Sequence, residues 1–366
     1  MSSKKIRILF TISNFNTAGS GKVVYDLVKG LDANKFEIEI ACGNSDGAFF
    51  KVIESLGLPV HVIDTKTTYK PYYNVLSRIW EISKFYKKQR YDIVHSWQWS
   101  SDWTEALAAR LVGVKWMYTK KAMGFNNKHW HIKSYLADFI VTINDEMRAY
   151  FPNKKQQALI PLGIETDYYN PEAVISQTKP SDATFHIITV ANLVPVKGIQ
   201  VLIEALHLVG NKNIKLSVLG NYDNHYGLKM MALRDQLKMQ DQVQFLGKQL
   251  DVRPYIKSAD LYVIPTLDEG RKEGMPMALV EAMSMSIPVL GSNITGINYV
   301  LKDFNELLFP AGNTEALAEK IKGLIATDKK ERVELGENLR GYCETHFTMD
   351  TFIAAHEALY DTILNV

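Results

Sequence analysis

The chain has 366 residues, of which 46% are hydrophobic and 11% aromatic, so it is too long for a single core and too apolar for a disordered protein. Its net charge of +2 is uneven, because residues 1–170 carry 23 basic and 16 acidic side chains, whereas the remainder carries 19 and 24. We therefore expect two domains and no nucleic-acid partner, since the basic surplus of the first half is diffuse and suits an anionic membrane surface or a phosphate-bearing acceptor instead.

The apolar segments and the cysteines together indicate a cytoplasmic protein. The segment Ile6–Ile12 is too short for a secretory signal and is interpreted as a buried first strand. No run of about eighteen apolar residues offers a membrane span. Cys42 and Cys343 are far apart without ligand-like spacing, so the sequence predicts neither a disulfide framework nor a zinc site.

In the first half, short β-branched segments alternate with amphipathic segments of helical length, which is typical of βαβ units around a parallel sheet. This pattern predicts a sheet of six or seven strands. The predicted strands are Arg7–Ile12, Glu37–Ala41, Val60–Val62, Ile93–His95, Lys115–Thr119 and Phe139–Ile143. The predicted helices lie near Val23–Leu31, Phe49–Leu56, Val75–Gln89 and Trp103–Leu111.

A Gly-Ser-Gly-Lys turn at residues 19–22 follows the first strand and opens a helix, as nucleotide-binding turns do. A phosphate-binding P-loop is excluded, because Asn16 and Val23 stand where it requires Gly and Ser or Thr. A dinucleotide site fits better, since Glu39 lies near the place of a ribose-binding acid, although Val24 replaces a required small residue. An NAD(P)-dependent oxidoreductase therefore remains an alternative function.

Residues 159–181 are polar and rich in Pro and Gly, which indicates a linker, and the alternating pattern then starts again. We therefore expect an α/β protein with two doubly wound domains, and a cleft between the carboxyl ends of their strands. The strands predicted here are Phe185–Ala191, Lys215–Leu219, Val243–Leu246, Leu261–Ile264 and Val289–Gly291. The helices lie near Gln200–Val209, Tyr226–Leu237, Met277–Met285 and Thr314–Ala326.

The segment Glu273–Glu281, Glu-Gly-Met-Pro-Met-Ala-Leu-Val-Glu, is the most specific indication of a ligand site. Pro276 suits the first turn of a helix, where its missing N–H costs nothing, and the preceding glycine permits close approach of the backbone. The pattern predicts that an anion such as a diphosphate binds at this helix N-terminus. The backbone amides expected to meet it belong to Gly274, Met275 and Met277.

Two carboxylates flank the predicted anion site, Glu273 in the loop and Glu281 a little over one turn into the helix. Carboxylates beside a bound anion are better explained as acceptors for hydroxyl groups, Glu273 on a transferred sugar and Glu281 on a ribose. A second signal is Lys197-Gly198 after the first strand of this half, where a lysine is well placed to neutralise a phosphate. A lone Lys-Gly pair fits a solvent-exposed loop equally well.

Together these segments resemble glycosyltransferase family 4, whose pattern includes Lys-Gly after the first strand of the C-terminal domain and a Glu-x7-Glu motif. Further matches are Pro161–Glu165, which is similar to the family's interdomain Asn-Gly-Ile-Asp, the strand segment Asp92–His95, and the segments Phe245–Gly247 and Ala259–Pro265. The resemblance covers nearly the whole chain, densely from residue 185 to 325 and thinly from 65 to 135, where acceptors would bind.

The resemblance implies the GT-B fold, with two Rossmann-like domains at residues 1–168 and 169–348 and a final helix, 349–366, that completes the first domain. It also implies a retaining hexosyltransferase that uses a nucleoside diphosphate sugar, most commonly a UDP-sugar. The acceptor is expected to be a glycan or a lipid-linked molecule in bacterial cell-surface polysaccharide synthesis. A non-catalytic relative of the family is a further alternative.

The family's roles carry over to individual residues of this chain. Lys197 is expected to bind the donor diphosphate, Glu273 a hydroxyl of the donor sugar, and Glu281 the nucleotide ribose. Asn192 stands where the family often has Arg, and Thr295 precedes a glycine where Gly-Gly is common, so both are expected near the diphosphate or the sugar. The chain has no Asp-x-Asp, and we therefore expect neither a metal nor a cofactor.

Two basic aromatic segments of the first half are candidates for acceptor or membrane contact. Tyr69–Arg90 suits the surface of an anionic bilayer, or it packs on the sheet through Leu76, Ile79, Ile82 and Phe85. Lys115–Lys133 is expected to contact the acceptor, because aromatic rings stack on sugars and lysines bind pyrophosphate. The candidate acceptor and cleft residues are Gly19, Ser20, Gly21, His95, Lys120 and Lys121.

Overall fold

The computed structural model describes residues 4–16, 18–47, 49–125, 127–176, 184–270 and 274–364. The chain divides into two compact units, residues 1–163 with 349–366, and residues 164–348. The division falls before the predicted boundary at residue 168, because the amide of Ile164 donates to the carbonyl of Phe347 at 2.7 Å. Residues 164–168 are therefore held by the second unit.

The first unit contains a seven-stranded parallel sheet in the order β3-β2-β1-β4-β5-β6-β7. Its central strand β1 is apolar throughout except at Arg7 and Thr11, as expected of a strand that is covered on both faces. The register places Ile8 opposite Ile38 on one side and Ile93 on the other. The strands are β1 (Ile6–Ile12), β2 (Phe36–Cys42), β3 (Val60–Val62), β4 (Ile93–Ser96), β5 (Lys115–Lys120), β6 (Phe139–Thr142) and β7 (Gln157–Leu159).

Among the described residues, seven helices belong to this unit. Helix α3 is the longest of the six that precede the second unit in the chain. Its buried stripe is Ile79, Ile82, Ser83 and Tyr86, whereas Leu76, expected in that stripe, is 68% exposed. The helices are α1 (Ala18–Gly30), α2 (Phe50–Glu54), α3 (Val75–Gln89), α4 (Thr104–Leu111), α5 (Lys128–Leu136), α6 (Asp145–Arg148) and, at the end of the chain, α14 (Met349–Leu364).

Helix α14 packs on the first unit although the whole second unit precedes it in the chain. Lys35 forms an ion pair with Asp361 at 2.5 Å, and Glu357 accepts a hydrogen bond from the amide of Asp32 at 2.8 Å. The buried face of the helix includes Phe352, His356 and Tyr360. The first unit is therefore built from both ends of the chain.

The second unit contains a six-stranded parallel sheet in the order β10-β9-β8-β11-β12-β13. Its strands are β8 (Phe185–Val190), β9 (Ile214–Leu219), β10 (Val243–Gly247), β11 (Leu261–Ile264), β12 (Val289–Ser292) and β13 (Leu308–Phe309). Its helices are α7 (Ile199–Val209), α8 (His225–Gln236), α9 (Arg253–Lys257), α10 (Met277–Ser284), α11 (Ile297–Val300), α12 (Thr314–Ala326) and α13 (Lys329–His346). Across the described parts of both units, none of the helices has the length and apolar character needed to cross a bilayer.

Candidate active site

Each sheet has one point where the strand order reverses, between β1 and β4 in the first unit and between β8 and β11 in the second. Open parallel sheets bind ligands outside the carboxyl ends of the strands at such a switch point. In the second unit, the predicted donor residues follow adjacent strands there. Asn192 and Lys197 follow β8, residues 274–277 follow β11, and Thr295 follows β12.

The loop after β8 is fixed against the loop after β11. The amide of Leu267 donates to the carbonyl of Val196 at 2.8 Å. Gly198 has φ of +64°, and a Cβ there would lie 1.9 Å from the carbonyl oxygen of Pro265. Only glycine fits this position. The Lys-Gly pair thus has a structural reason, because Gly198 allows the two loops to meet and so fixes the half-buried Lys197 beside them.

Asn192 is exposed, and its side chain helps to hold the loop in place. Its Oδ1 accepts a hydrogen bond from the amide of Asn221 at 3.4 Å, while the amide of Leu193 donates to the carbonyl of Asn221 at 3.0 Å. The sequence did not single out Asn221, although the Gly-Asn pair directly after β9 is a signal for such a turn. The ends of β8 and β9 are therefore connected at the candidate site.

Helix α10 presents its N-terminus to the same edge of the sheet. Pro276 is its N-cap, with φ of −81° and ψ of 101°, and the helix begins at Met277, where the sequence places its start. The side chain of Pro276 makes no capping hydrogen bond at this end. The helix therefore offers backbone N–H groups and the positive end of its dipole to an anion. Gly274 and Met275 are buried beside it, and Glu273 lies outside the described residues.

Glu281 is half-buried on α10, and its carboxylate lies close enough to Tyr169 to act on the pKa of that hydroxyl. Burial first, and then the negative charge of Glu281, raise the pKa of Tyr169 far above its ordinary value. The hydroxyl therefore stays protonated and acts as a donor. No sequence pattern indicates Tyr169, because an aromatic residue in a polar loop carries no signal of a contact with a helix more than a hundred residues later.

Thr295 is half-buried in the turn that joins β12 to α11. The turn is completed by Gly296, whose φ of +87° favours glycine. The second Gly of the family's usual pair is thus kept here, and the residue before it is the one that differs. Thr295 remains a prediction as a ligand-binding residue.

In the first unit, the Gly-Ser-Gly turn lies at the corresponding place after β1. Helix α1 is kinked at Gly19, which has φ of −3° and ψ of −112°. At Gly21 a Cβ would lie 3.0 Å from the ring of Phe15 and 3.2 Å from the ring of Phe49. Gly21 therefore permits close packing of the turn, and Ser20 is half-buried next to it.

His95 and Lys120 were expected to face an acceptor, and the structure places both in the core instead. His95 is fully buried, and its ring nitrogens bond to Tyr360 and Thr119, each at 2.8 Å. Burial, and then the neighbouring positive groups, hold the pKa of His95 well below its ordinary value. Lys120 is 3% exposed, with its ammonium 4.0 Å from the ring centroid of Trp130. Both residues therefore stabilise the fold.

Lys121, by contrast, is half-buried and belongs to a polar edge of the first sheet. Its ammonium donates to the carbonyl of Trp97 at 2.6 Å and lies 5.6 Å from the ring centroid of Trp99. Trp99 is 40% exposed. A cation and a partly exposed aromatic ring thus lie together after β4 and β5.

A buried carboxylate that the sequence analysis missed also orders this edge. Glu105, on the first turn of α4, accepts hydrogen bonds from Thr65 at 2.5 Å and from Ser96. Lys133 lies nearby, fully buried, and burial lowers its pKa to about 8 despite the opposing charge of Glu105. The signal was present as a single acid directly before the apolar run Ala106–Ala109.

The oxidoreductase alternative requires Glu39 as its ribose-binding acid, and the structure gives this carboxylate other partners. Glu39 pairs with Arg7 at 2.8 Å and with His61 at 2.6 Å, and it accepts a hydrogen bond from Tyr91 at 2.5 Å. Burial alone would raise the pKa of Glu39, but the hydrogen bonds from Tyr91 and His61 and the charge of Arg7 bring it below the ordinary value. This carboxylate is therefore occupied within the first unit.

Known protein families match both halves of the chain. Residues 17–168 match the family model described as Glycosyltransferase Family 4, and residues 172–341 match the model described as Glycosyl transferases group 1. The two matches are consecutive and meet near the division between the structural units.

Curated relatives carry names of polysaccharide-building enzymes. The capsular polysaccharide biosynthesis glycosyltransferase CapH of Staphylococcus aureus is 24% identical over 88% of this chain and 92% of its own length. A UDP-Gal:alpha-D-GlcNAc-diphosphoundecaprenol alpha-1,3-galactosyltransferase of Escherichia coli is 25% identical over 77% of this chain and 78% of its own. The amylovoran biosynthesis glycosyltransferase AmsK of Erwinia amylovora is 30% identical over 43% of this chain, but the match spans only 39% of AmsK.

Solved structures share the fold over nearly the entire chain. A glycosyltransferase from Rickettsia africae matches with a TM-score of 0.86 and 19% identity, covering 99% of each chain. HepE of Anabaena, crystallised with UDP, matches with a TM-score of 0.81 and 18% identity, covering 99% of this chain and 100% of that one. The prediction of two Rossmann-like domains is confirmed.

Proposed function

Because this chain belongs to the GT-B glycosyltransferases of the family 4 type, we propose that it transfers a hexose from a nucleoside diphosphate sugar with retention of configuration. The proposed donor is a UDP-sugar, and the proposed acceptor is a glycan or lipid-linked molecule of bacterial polysaccharide synthesis. One observation carries the proposal. Lys197, the N-terminus of α10 and Glu281 follow adjacent strands at the switch point of the second sheet.

The donor diphosphate would be bound without a metal. The ammonium of Lys197 supplies a positive charge, and the α10 N-terminus supplies N–H donors that need no reorganisation when charge develops on the leaving group. Among the residues that the structure describes, no group of three His, Cys, Asp or Glu side chains is arranged to hold a metal ion. Metal independence is part of the proposal and is tested below.

The carboxylates would bind hydroxyl groups of the donor. Glu281 is proposed to accept from the ribose, and Glu273 from the transferred sugar. Retention would follow the route that the family resemblance implies, in which the acceptor hydroxyl attacks the face from which the diphosphate leaves. Its proton passes to the departing phosphate oxygen as the sugar–phosphate bond breaks, and no sugar becomes bound to the enzyme.

The first unit is proposed to bind the acceptor. Three of the predicted residues are not fully buried: Gly19 and Ser20 in the turn after β1, and Lys121 beside Trp99 after β5. The ring of Trp99 can stack on a sugar, and Lys121 can meet a phosphate. The Escherichia coli relative named above acts on a diphosphoundecaprenol-linked sugar, which supports a lipid-linked acceptor for this chain.

We also propose that the first unit touches the cytoplasmic face of an anionic membrane. Large apolar side chains are exposed on and just before α3, with Tyr73 89% and Leu76 68% exposed. Trp80 lies one turn after Leu76 and is half exposed, and Lys84 follows at the same spacing. Leu76→Ser/Trp80→Ser should reduce co-sedimentation with phosphatidylglycerol vesicles and leave thermal stability unchanged. Equal sedimentation of both proteins would refute membrane contact.

The first experiment is a calorimetric screen of the purified protein against UDP, GDP, ADP, NAD and NADP, with EDTA or with Mg²⁺. Binding of one nucleoside diphosphate, unchanged by EDTA, is expected and would identify the sugar nucleotides for a transfer assay. Binding of NAD or NADP alone would favour the oxidoreductase. Binding of a nucleoside diphosphate sugar without transfer to any glycan or lipid acceptor, and without donor hydrolysis, would favour a non-catalytic relative.

A further inference from the structure

A chain of hydrogen bonds crosses the carboxyl edge of the first sheet and joins the loops that follow β1, β3 and β4. The ammonium of Lys66 donates to the hydroxyl of Ser13 at 3.2 Å, and that hydroxyl donates to Oε1 of Gln98 at 2.5 Å. Nε2 of Gln98 donates to the hydroxyl of Thr65 at 3.5 Å, which in turn donates to Oε1 of Glu105 at 2.5 Å. Every donor in this chain of bonds therefore points away from Lys66 and towards the buried carboxylate of Glu105.

The direction of these bonds fixes what Ser13 can offer to Lys66. Since the only proton of the Ser13 hydroxyl is donated to Gln98, its oxygen meets the ammonium as an acceptor. Gln98 is 5% exposed and bonds to the loops on both sides, so the outer end of the chain of bonds has a defined position. Bonds linked in this way also polarise and strengthen one another. Lys66 is therefore held at the switch point of the first sheet.

Lys66 is a half-buried cation that forms no ion pair with a carboxylate in the described part of the chain. The carboxylate at the far end of the chain of bonds, Glu105, is 2% exposed, and its two oxygens accept from Thr65 and Ser96. The Ser13 hydroxyl takes up one of the three N–H donors of the ammonium. Because a half-buried charge is costly without an opposite charge beside it, Lys66 suits an anionic ligand.

A second cation approaches the same strand end from the other side. Lys121 follows β5, and its ammonium donates to the carbonyl of Trp97, which directly precedes Gln98 in the sequence. Lys66 follows β3, so the two lysines reach the residues after β4 from opposite directions along the sheet. The partly exposed ring of Trp99 comes next in the sequence. Positive charge is therefore concentrated where an open parallel sheet binds its ligand.

We propose that Lys66 is an acceptor-binding residue, whose ammonium binds the diphosphate group of a lipid-linked acceptor at the switch point of the first sheet, beside Lys121. This inference rests on the proposed function, because it assigns the first unit to the acceptor. A lysine ammonium is a compact charge that can meet a phosphate oxygen from several directions. Ser13 and Gln98 are positioning residues, since they hold the lysine in place and need not touch the ligand.

The test is calorimetry with geranyl diphosphate, a short water-soluble isoprenoid diphosphate, on the full chain in the presence of saturating UDP. UDP keeps the donor site of the second unit occupied, so the added diphosphate must bind elsewhere. Lys66→Met should weaken the binding of geranyl diphosphate about tenfold, as the loss of one charge-assisted contact predicts. Lys66→Arg keeps the charge and should restore most of the affinity.

Lys88→Met is the matched control, since it removes the same charge from the same unit. Lys88 is exposed near the end of α3, which leads into the amino end of β4, so it lies at the opposite edge of the sheet. The affinity of this variant for geranyl diphosphate should stay within about twofold of the unaltered chain. Ser13→Ala keeps Lys66 but removes its hydrogen-bond partner, and we expect a smaller loss of about threefold. The melting temperature of each variant checks that it is folded.

Inorganic pyrophosphate, titrated under the same conditions, separates a lipid-linked acceptor from free phosphate. A loss in Lys66→Met that is confined to pyrophosphate would reveal a site for free phosphate and refute the acceptor role. If the unaltered chain binds UDP but no geranyl diphosphate, or if Lys66→Met has no larger effect than Lys88→Met, the role of Lys66 is refuted and the proposed function stands. If the unaltered chain binds no nucleoside diphosphate at all, the proposed function itself fails.

Discussion

Six strands of each sheet follow the same order, and the first sheet adds a seventh at its edge, but the two switch points are built from different kinds of residue. In the second unit, Lys197 and Glu281 are half-buried at the carboxyl edge, next to the N-terminus of α10. In the first unit, His95 and Lys120 lie at the corresponding strand ends but are buried and hydrogen-bonded. A polar residue at the end of a strand is therefore a ligand candidate only where no later element of the fold covers it.

A substitution at Gly198 is the strongest test of this difference between the two switch points. Gly198→Ala should lower the free energy of unfolding by about 3 kcal/mol and abolish UDP binding, because the new Cβ would collide with the loop after β11. Gly210→Ala is the matched control, since Gly210 has a similar φ of +69° and an added Cβ would meet nothing within 4 Å. It should cost about 1 kcal/mol and leave UDP binding intact. Urea denaturation and calorimetry measure both, and similar losses for the two variants would contradict the account.

Acid should weaken the first unit through its buried histidines. Burial lowers the pKa of His356 to about 4, and that of His95 is lowered too, whereas the unfolded chain titrates near its ordinary value of about 6.5. Between those values the unfolded chain binds more protons, so the stability that neutral His356 contributes is complete above about pH 6.5 and is lost as the pH falls towards 4. The expected loss is about 3 kcal/mol.

The measurement uses the tryptophans, all six of which lie between Trp80 and Trp130 and so report on the first unit alone. Urea unfolding followed by their fluorescence at pH 7 and pH 4 gives the acid effect. His356→Leu removes the titrating ring and should flatten the dependence. An unchanged pH dependence in that variant would show that other groups control acid unfolding.

The smallest expected effects are those of replacing Lys197 in the second unit and Lys120 in the first. Lys197→Ala should weaken UDP binding by about 2 kcal/mol, roughly 30-fold, without changing the melting temperature, because it removes a phosphate contact. Lys120→Met should leave UDP binding unchanged and lower the stability of the first unit by about 1 kcal/mol, because it removes a buried hydrogen bond and a cation–π contact. Calorimetry and tryptophan fluorescence measure the pair. Reversed results would exchange the roles assigned here.

The sequence predicted most strands and helices but missed those with weak patterns. Strand β13 has only two residues. The buried residues of α5 are Lys133 and Ser134, so the inner face of this helix lacks an apolar pattern in the sequence. Helix α13 is eighteen residues long but buries only Gly336, Leu339 and Cys343 in its interior face. Periodicity identifies a helix by a continuous apolar stripe, and none of these segments carries one.

The sequence by itself determined two parallel α/β sheets and the Glu273–Glu281 segment at a strand-to-helix turn, because these depend on the order and spacing of neighbouring residues. Only the tertiary structure decided which polar side chains are covered. His95 is buried by Tyr360, 265 residues later in the chain, and Glu281 meets Tyr169 from a loop that precedes the second sheet. Such contacts depend on how elements distant in the chain pack together, and local sequence patterns do not indicate them.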